Sequence, residues 1–230
     1  MKAKSALGLL LGAALICGGC PTGDPLVEGP PRVRITTSMG EFLIELDSND
    51  APLTVENFLQ YVNEGFYDGT IFHRVIPEFV VQGGGYLPGL EAKPTYEPIT
   101  SEAYNGLLNL RGTIGVARTD DANSATAQFY VNVADNPTLD ASAMSPGYTV
   151  FGAVIEGMTV IDQIAAVPTE TRGNYSDVPV EDVLLLSARE EPGAGTLTPG
   201  WEHYFEEVQY GLLSALREVA VQLLQQLITG

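Results

Sequence analysis

Between residues 32 and 188 the apolar side chains come in short runs that alternate with polar ones and are broken by Gly, Asn or Asp. That rhythm constrains the fold more than any other feature, because a side-chain period of two belongs to half-buried strands. Val33, Ile35 and Thr37 alternate, Ser38-Met39-Gly40 breaks the run, and Phe42, Ile44 and Leu46 resume it, which predicts a β-hairpin. Further strand-type runs fall at residues 71–76, 79–82, 113–117, 128–133, 148–155 and 180–188. Two helical stretches interrupt them. One starts at Asn49-Asp50-Ala51-Pro52 and carries Val55, Phe58, Leu59 and Val62 at helical spacing until Gly65; the other spans residues 158–165. Many short strands with two helices predict a mainly β fold, an antiparallel barrel or sandwich.

The flanks read differently. Lys2 and Lys4 precede an apolar run over residues 6–16 that is too short to span a bilayer and is followed by small residues, the pattern of a targeting leader over residues 1–19. Cys17-Gly18-Gly19-Cys20 resembles a bacterial lipoprotein signal, with Cys20 as the lipidated residue, although Cys17 stands where an aliphatic residue is usual. An ordinary secretory leader with a stray cysteine is the plainer alternative. Residues 20–31 are then an anchor cysteine and a Pro/Gly tether, and residues 32–190 form the main domain. After a Gly-containing linker over residues 191–200, Trp201, Phe205, Val208, Leu212, Leu216, Val219, Leu223 and Leu227 keep a three-to-four-residue spacing. They predict an amphipathic helix over residues 201–230. Its stripe would either pair two copies of the chain as a homo-oligomer or dock on its own barrel.

Charge narrows the function. The 230 residues carry 11 Lys+Arg against 29 Asp+Glu, a formal charge of -18. Such a chain repels phosphate backbones and anionic lipid alike, so nucleic-acid binding is excluded as a general role, and a membrane would be reached through a lipid anchor. His73, His203, Cys17 and Cys20 are too few for a Cys/His zinc cluster of ordinary spacing, so no metal is expected. Gly83-Gly84-Gly85 follows a strand without opening a helix, unlike a phosphate-binding loop.

The most informative segment is Phe72-His73-Arg74-Val75-Ile76-Pro77-Glu78-Phe79-Val80-Val81-Gln82-Gly83-Gly84-Gly85. Together with Asn57-Phe58, Gly65-Phe66-Tyr67, Arg111-Gly112-Thr113-Ile114, Ala117-Arg118, Gln128-Phe129, Leu139-Asp140 and Val150-Phe151-Gly152, it makes residues 32–189 resemble the cyclophilins, which are peptidyl-prolyl cis-trans isomerases. Ser124-Ala125-Thr126, Asn132-Val133-Ala134-Asp135-Asn136 and Gly147-Tyr148 are most similar to the periplasmic bacterial branch. The resemblance implies an eight-stranded antiparallel β-barrel closed by two helices and an isomerase that needs no cofactor. It also implies proline-containing segments of unfolded or exported proteins as partners, met at the bacterial cell envelope with the domain facing the periplasm or exterior.

Rotation about an X-Pro bond is slow because the bond has partial double-bond character, with a barrier of about 18–20 kcal/mol. In the twisted state the proline nitrogen turns pyramidal and recovers a lone pair, so a fixed cationic donor aimed at it binds the transition state better than the planar ground state. An arginine suits the task, since a guanidinium carries several donors in a rigid fork. The resemblance gives that role to Arg74, with Gln82 orienting it. It gives the apolar seat for the proline ring to Phe79, Val80, Tyr130 and Leu139, and peptide contacts to Ala117, Arg118, Gln128 and Tyr148. Val80 and Tyr130 replace a methionine and a phenylalanine common in the family, which predicts a seat of altered shape with one more polar wall. His73 is expected to be a hydrogen-bonded structural residue, since isomerisation moves no proton. The alternative function is a module that binds Pro-containing segments with weak turnover or none.

Overall fold

The computed structural model describes residues 29–191. Strand β1 (Arg32–Thr37) buries Val33, Ile35 and Thr37 and leaves the residues between them half-exposed. Its hairpin partner β2 (Gly40–Leu46) departs from simple alternation: every residue from Phe42 to Leu46 is buried. Glu45 tolerates burial because Arg32, its direct cross-strand neighbour, reaches it with Nε at 2.8 Å and Nη2 at 2.7 Å.

Helix α1 (Pro52–Asn63) follows, then β3 (Thr70–Ile76) and β4 (Val80–Gly83). A small hairpin comes next, β5 (Tyr86–Leu87) with β6 (Glu91–Ala92), and after a long connection β7 (Thr113–Val116) and β8 (Phe129–Asn132). The described residues end with β9 (Val150–Glu156), α2 (Met158–Ala165), a second small hairpin of β10 (Thr169–Arg172) and β11 (Tyr175–Pro179), and finally β12 (Val183–Glu191). Eight strands close an antiparallel barrel in the order β1-β12-β3-β4-β8-β7-β9-β2.

Closure removes sheet edges and places one face of every strand inside. The core holds Ile35, Phe42, Ile44, Phe72, Val81, Ile114, Phe129, Val131 and Phe151, together with Val55, Phe58 and Val62 of α1 and Ile161 and Ile164 of α2. Phe58 meets Phe129 edge-on at 5.6 Å between ring centres and lies 5.3 Å from Phe151, so α1 is stapled to the barrel by aromatic contacts.

Several expectations shift by local chemistry. The two small hairpins carry too few apolar residues to register as strands. Phe79 lies in the turn of Pro77–Phe79 that precedes β4, a turn in which Glu78 takes a φ of 58°. The last strand starts at Val183. The expected linker begins one residue later than 191, since Glu191 still belongs to β12; the leader with Cys20, most of the tether, the rest of the linker and the amphipathic stretch of residues 201–230 lie outside the described residues. Among the described residues, no helix is long and apolar enough to cross a membrane.

Candidate active site

Strand register assembles the site. Arg74 on β3 faces Gln82 on β4, Gln82 faces Tyr130 on β8, and Tyr130 faces Gly115 on β7. Because side chains alternate, this row lies on the opposite face from the core residues Phe129 and Val131. Four residues from four strands thus form one line across the sheet.

A cleft of about 200 Å³ opens along that line, lined by Arg74, Phe79, Val80, Gln82, Ala117, Arg118, Tyr130, Leu139 and Tyr148. Gln128, the remaining expected site residue, stands next to it and accepts from Gln82 Nε2 at 3.0 Å. Gln82 in turn accepts from Arg74 Nη1 at 3.3 Å, so a relay of three side chains holds the guanidinium. Arg74 is half-buried, lies 6.0 Å from the centre of the Phe79 ring, and makes no ion pair among the described residues. Its guanidinium borders the cleft, and no carboxylate is among the described residues that line it.

The opposite rim is built around Arg118. Its guanidinium stacks 4.3 Å above the Tyr148 ring, while Nε and Nη2 donate to the Gly147 carbonyl at 2.9 and 2.8 Å and Nη1 donates to the Thr119 carbonyl at 2.6 Å. Those donors are spent on the protein, so Arg118 is a wall rather than a free cation. Tyr148 N donates to the Leu139 carbonyl at 2.9 Å, which draws both ends of the intervening loop to the cleft. Ala117 N is already donated to the Gln128 carbonyl at 2.9 Å.

The glycines after Gln82 serve packing. Gly84 has a φ of +81°, and a Cβ on Gly85 would lie 2.5 Å from Gln128 Cγ, where it would displace the relay.

Two expectations are corrected here. The Tyr130 hydroxyl does not make the seat more polar: it donates to Asn109 Oδ1 at 2.6 Å in a buried layer, and burial raises its pKa far above the ordinary tyrosine value. His73 is held by ring packing, 4.6 Å from Tyr86, and its buried Nδ1 has no hydrogen-bond partner among the described residues. Burial, with a smaller contribution from the Arg74 charge, lowers its pKa to about 4, so the ring is neutral near pH 7. Asn109 escapes a reading of the sequence, because a lone amide within Leu107-Leu108-Asn109-Leu110 has no periodicity or motif to mark it.

A family model described as cyclophilin type peptidyl-prolyl cis-trans isomerase matches residues 32–190. Peptidyl-prolyl cis-trans isomerase A of Dickeya dadantii is 52% identical over 158 residues, covering 69% of this chain and 83% of its own. Peptidyl-prolyl cis-trans isomerase B of Escherichia coli is 51% identical over 158 residues, covering 67% and 96%. The crystal structure of a Cryptosporidium parvum cyclophilin type isomerase superposes with a TM-score of 0.62 at 26% identity, covering 71% of this chain and 98% of that one. A structure of the same protein in the presence of the dipeptide Ala-Pro gives 0.61. Half of the aligned positions are shared with bacterial isomerases across the whole barrel, and the chain belongs to the cyclophilin-type peptidyl-prolyl cis-trans isomerases.

Proposed function

We propose that this isomerase turns over X-Pro bonds of exported proteins at the bacterial cell envelope, with Arg74 as the transition-state donor. The observation that carries the catalytic assignment is the Arg74 guanidinium, without an ion pair among the described residues and tethered through Gln82 to Gln128, on the edge of a cleft that Phe79, Val80 and Leu139 help to line. Phe79, Val80, Tyr130 and Leu139 seat the proline ring, and Ala117, Gln128, Arg118 and Tyr148 border the flanking peptide. As the bond twists, the nitrogen gains a lone pair and accepts from Arg74, an interaction absent in the planar amide; the relay fixes the donor beforehand, so little reorganisation is needed.

The envelope setting is supported by Lys2 and Lys4 before a short apolar run, by Gly18-Gly19 before Cys20, and by the Pro/Gly spacer that would hold the barrel off a membrane. Lipidation at Cys20 would supply the anchor that a chain of charge -18 lacks electrostatically.

A protease-coupled assay on a prolyl peptide tests the catalytic assignment. Arg74→Ala is expected to lower kcat/KM by about 100- to 1,000-fold, the range for losing one pre-organised donor to developing charge. Thermal stability should stay near that of the parent, since among the described residues the side chain makes one hydrogen bond, to Gln82, at 3.3 Å. Turnover close to the parent's would remove Arg74 from this role, and retained peptide binding with no turnover in the parent itself would make the protein a binding module.

A further inference from the structure

Tyr130 is placed by groups that do not line the cleft. Gly115 faces it directly across the β7–β8 ladder, and a Cβ there would come within 2.3 Å of both Cζ and the hydroxyl. The tip of the ring therefore occupies space that any side chain at position 115 would need. Its hydroxyl donates to Asn109 Oδ1 at 2.6 Å.

Asn109 is buried, and its orientation is forced. Its Nδ2 donates to Asp140 Oδ1 at 2.9 Å while its Oδ1 also accepts from Asn132 Nδ2 at 3.2 Å, so a flipped amide would set donor against donor and oxygen against carboxylate. The backbone N–H of Asn109 donates to the same Asp140 oxygen at 2.7 Å. The layer continues outward: Asn136 Nδ2 bridges Asn132 Oδ1 at 2.7 Å and the Phe79 carbonyl at 2.9 Å, and Leu139 N donates to the Asn136 carbonyl at 2.9 Å. Hydrogen bonds spreading from Asn109 thus reach three walls of the cleft, at Tyr130, Phe79 and Leu139.

We propose that Asn109, acting with the notch at Gly115, is a positioning residue for the proline seat: it pins the Tyr130 ring through its hydroxyl without touching the peptide. A phenyl ring at position 130 would be held by packing alone, whereas a ring anchored at its far end is already in its bound position, and the ordering cost on binding falls. Gly115, Tyr130 and Asn109 make one unit. A residue larger than glycine at 115 would drive the ring into the seat, and loss of the Asn109 acceptor would let it swing. The proposal rests on Tyr130 lining the seat.

Paired substitutions in the full chain test it, with KM and kcat measured on one Ala-Pro peptide and near-UV circular dichroism confirming the fold. Asn109→Ala is expected to raise KM about tenfold with kcat changed far less, as loss of one pre-organising hydrogen bond implies. The same substitution in a Tyr130→Phe background should change KM less than about twofold, because the hydroxyl through which it acts is gone. Gly115→Ala should raise KM as well, and in a Tyr130→Ala background, where neither Cζ nor the hydroxyl remains to be displaced, it should change KM less than about twofold; this second pair leaves Asn109 in place and serves should Asn109→Ala fail to fold. Independent effects within both pairs overturn the proposal, as does an unchanged KM in a folded Asn109→Ala protein. Tyr130→Ala separates the layers: an unchanged KM there takes Tyr130 out of the seat, whereas a raised KM with Asn109→Ala unaffected leaves the seat and removes the positioning role.

Discussion

His73 shows how one side chain next to the site couples the fold to pH. Its ring is buried against Tyr86, and its pKa falls from 6.5 to about 4, chiefly through burial. The unfolded chain therefore binds the proton more readily than the folded one between those values. The stability that neutral His73 contributes is complete above pH 6.5 and is lost as pH falls towards 4. Between pH 7 and pH 5 the shift amounts to about 2 kcal/mol. Urea unfolding at the two pH values should show that loss in the parent and a smaller one in His73→Phe; equal losses would assign the acid sensitivity to carboxylates elsewhere. Arg118 makes a different point at the same scale. Four of its side-chain hydrogen bonds go to backbone carbonyls, so its guanidinium shapes the rim of the cleft.

Helix α1 (Pro52–Asn63) is the element whose start the sequence marks and whose cap it conceals. Pro52 opens the helix as its pre-set φ favours, and Asp47 Oδ1 accepts from the N–H groups of Asn49 and Asp50 in the turn before it. Ala51 at the cap position has no side chain to offer. The orphan donors of the first turn are met instead by Glu102, which accepts from Leu53 N at 3.1 Å, from Thr54 N at 2.8 Å and from Thr54 Oγ1 at 2.7 Å. A carboxylate there also complements the positive end of the helix dipole. Glu102→Ala is expected to cost about 1–2 kcal/mol of stability, seen as a lower urea midpoint at unchanged slope. Should the midpoint not move, solvent is satisfying those donors. Isomerase activity should persist in the variant, because Glu102 is not among the residues lining the cleft.

At the scale of the whole molecule, closure joins the first and last of the described strands. β1 (Arg32–Thr37) pairs with β12 (Val183–Glu191) from Arg32↔Glu191 onward, and Arg34 Nε bonds Glu191 Oε1 at 2.5 Å across that seam. Closure therefore takes in residues up to 191. A protein of residues 29–191 should fold and retain kcat/KM within about twofold of the full chain, while any oligomer mass seen by light scattering should fall. Unfolding of the shortened protein would show that residues 201–230 complete the core of the barrel instead. Cys20→Ser should release the protein from the membrane fraction and abolish the mass increase due to acyl chains; an unchanged distribution and mass would rule out the lipid anchor.

How far the chain could be read follows from the range of each interaction. Period-two alternation and Gly or Asn/Asp breaks are local, so β1, β2, β3, both helices and the mainly β class were legible in the sequence itself. The run around Arg74 and Gln82, together with Phe79, Val80, Ala117, Arg118, Gln128, Tyr130, Leu139 and Tyr148, pointed to a set that the register then brings to one cleft and its border. What the sequence determined by itself was thus the element pattern and the chemical kind of each site residue. Tertiary structure decided the direction of the Tyr130 hydroxyl, the forced amide of Asn109, the notch at Gly115 and the capping of α1 by Glu102. Each depends on two groups 15 to 49 residues apart meeting within hydrogen-bonding or van der Waals distance. No local propensity encodes such a meeting; only closure of the barrel sets it.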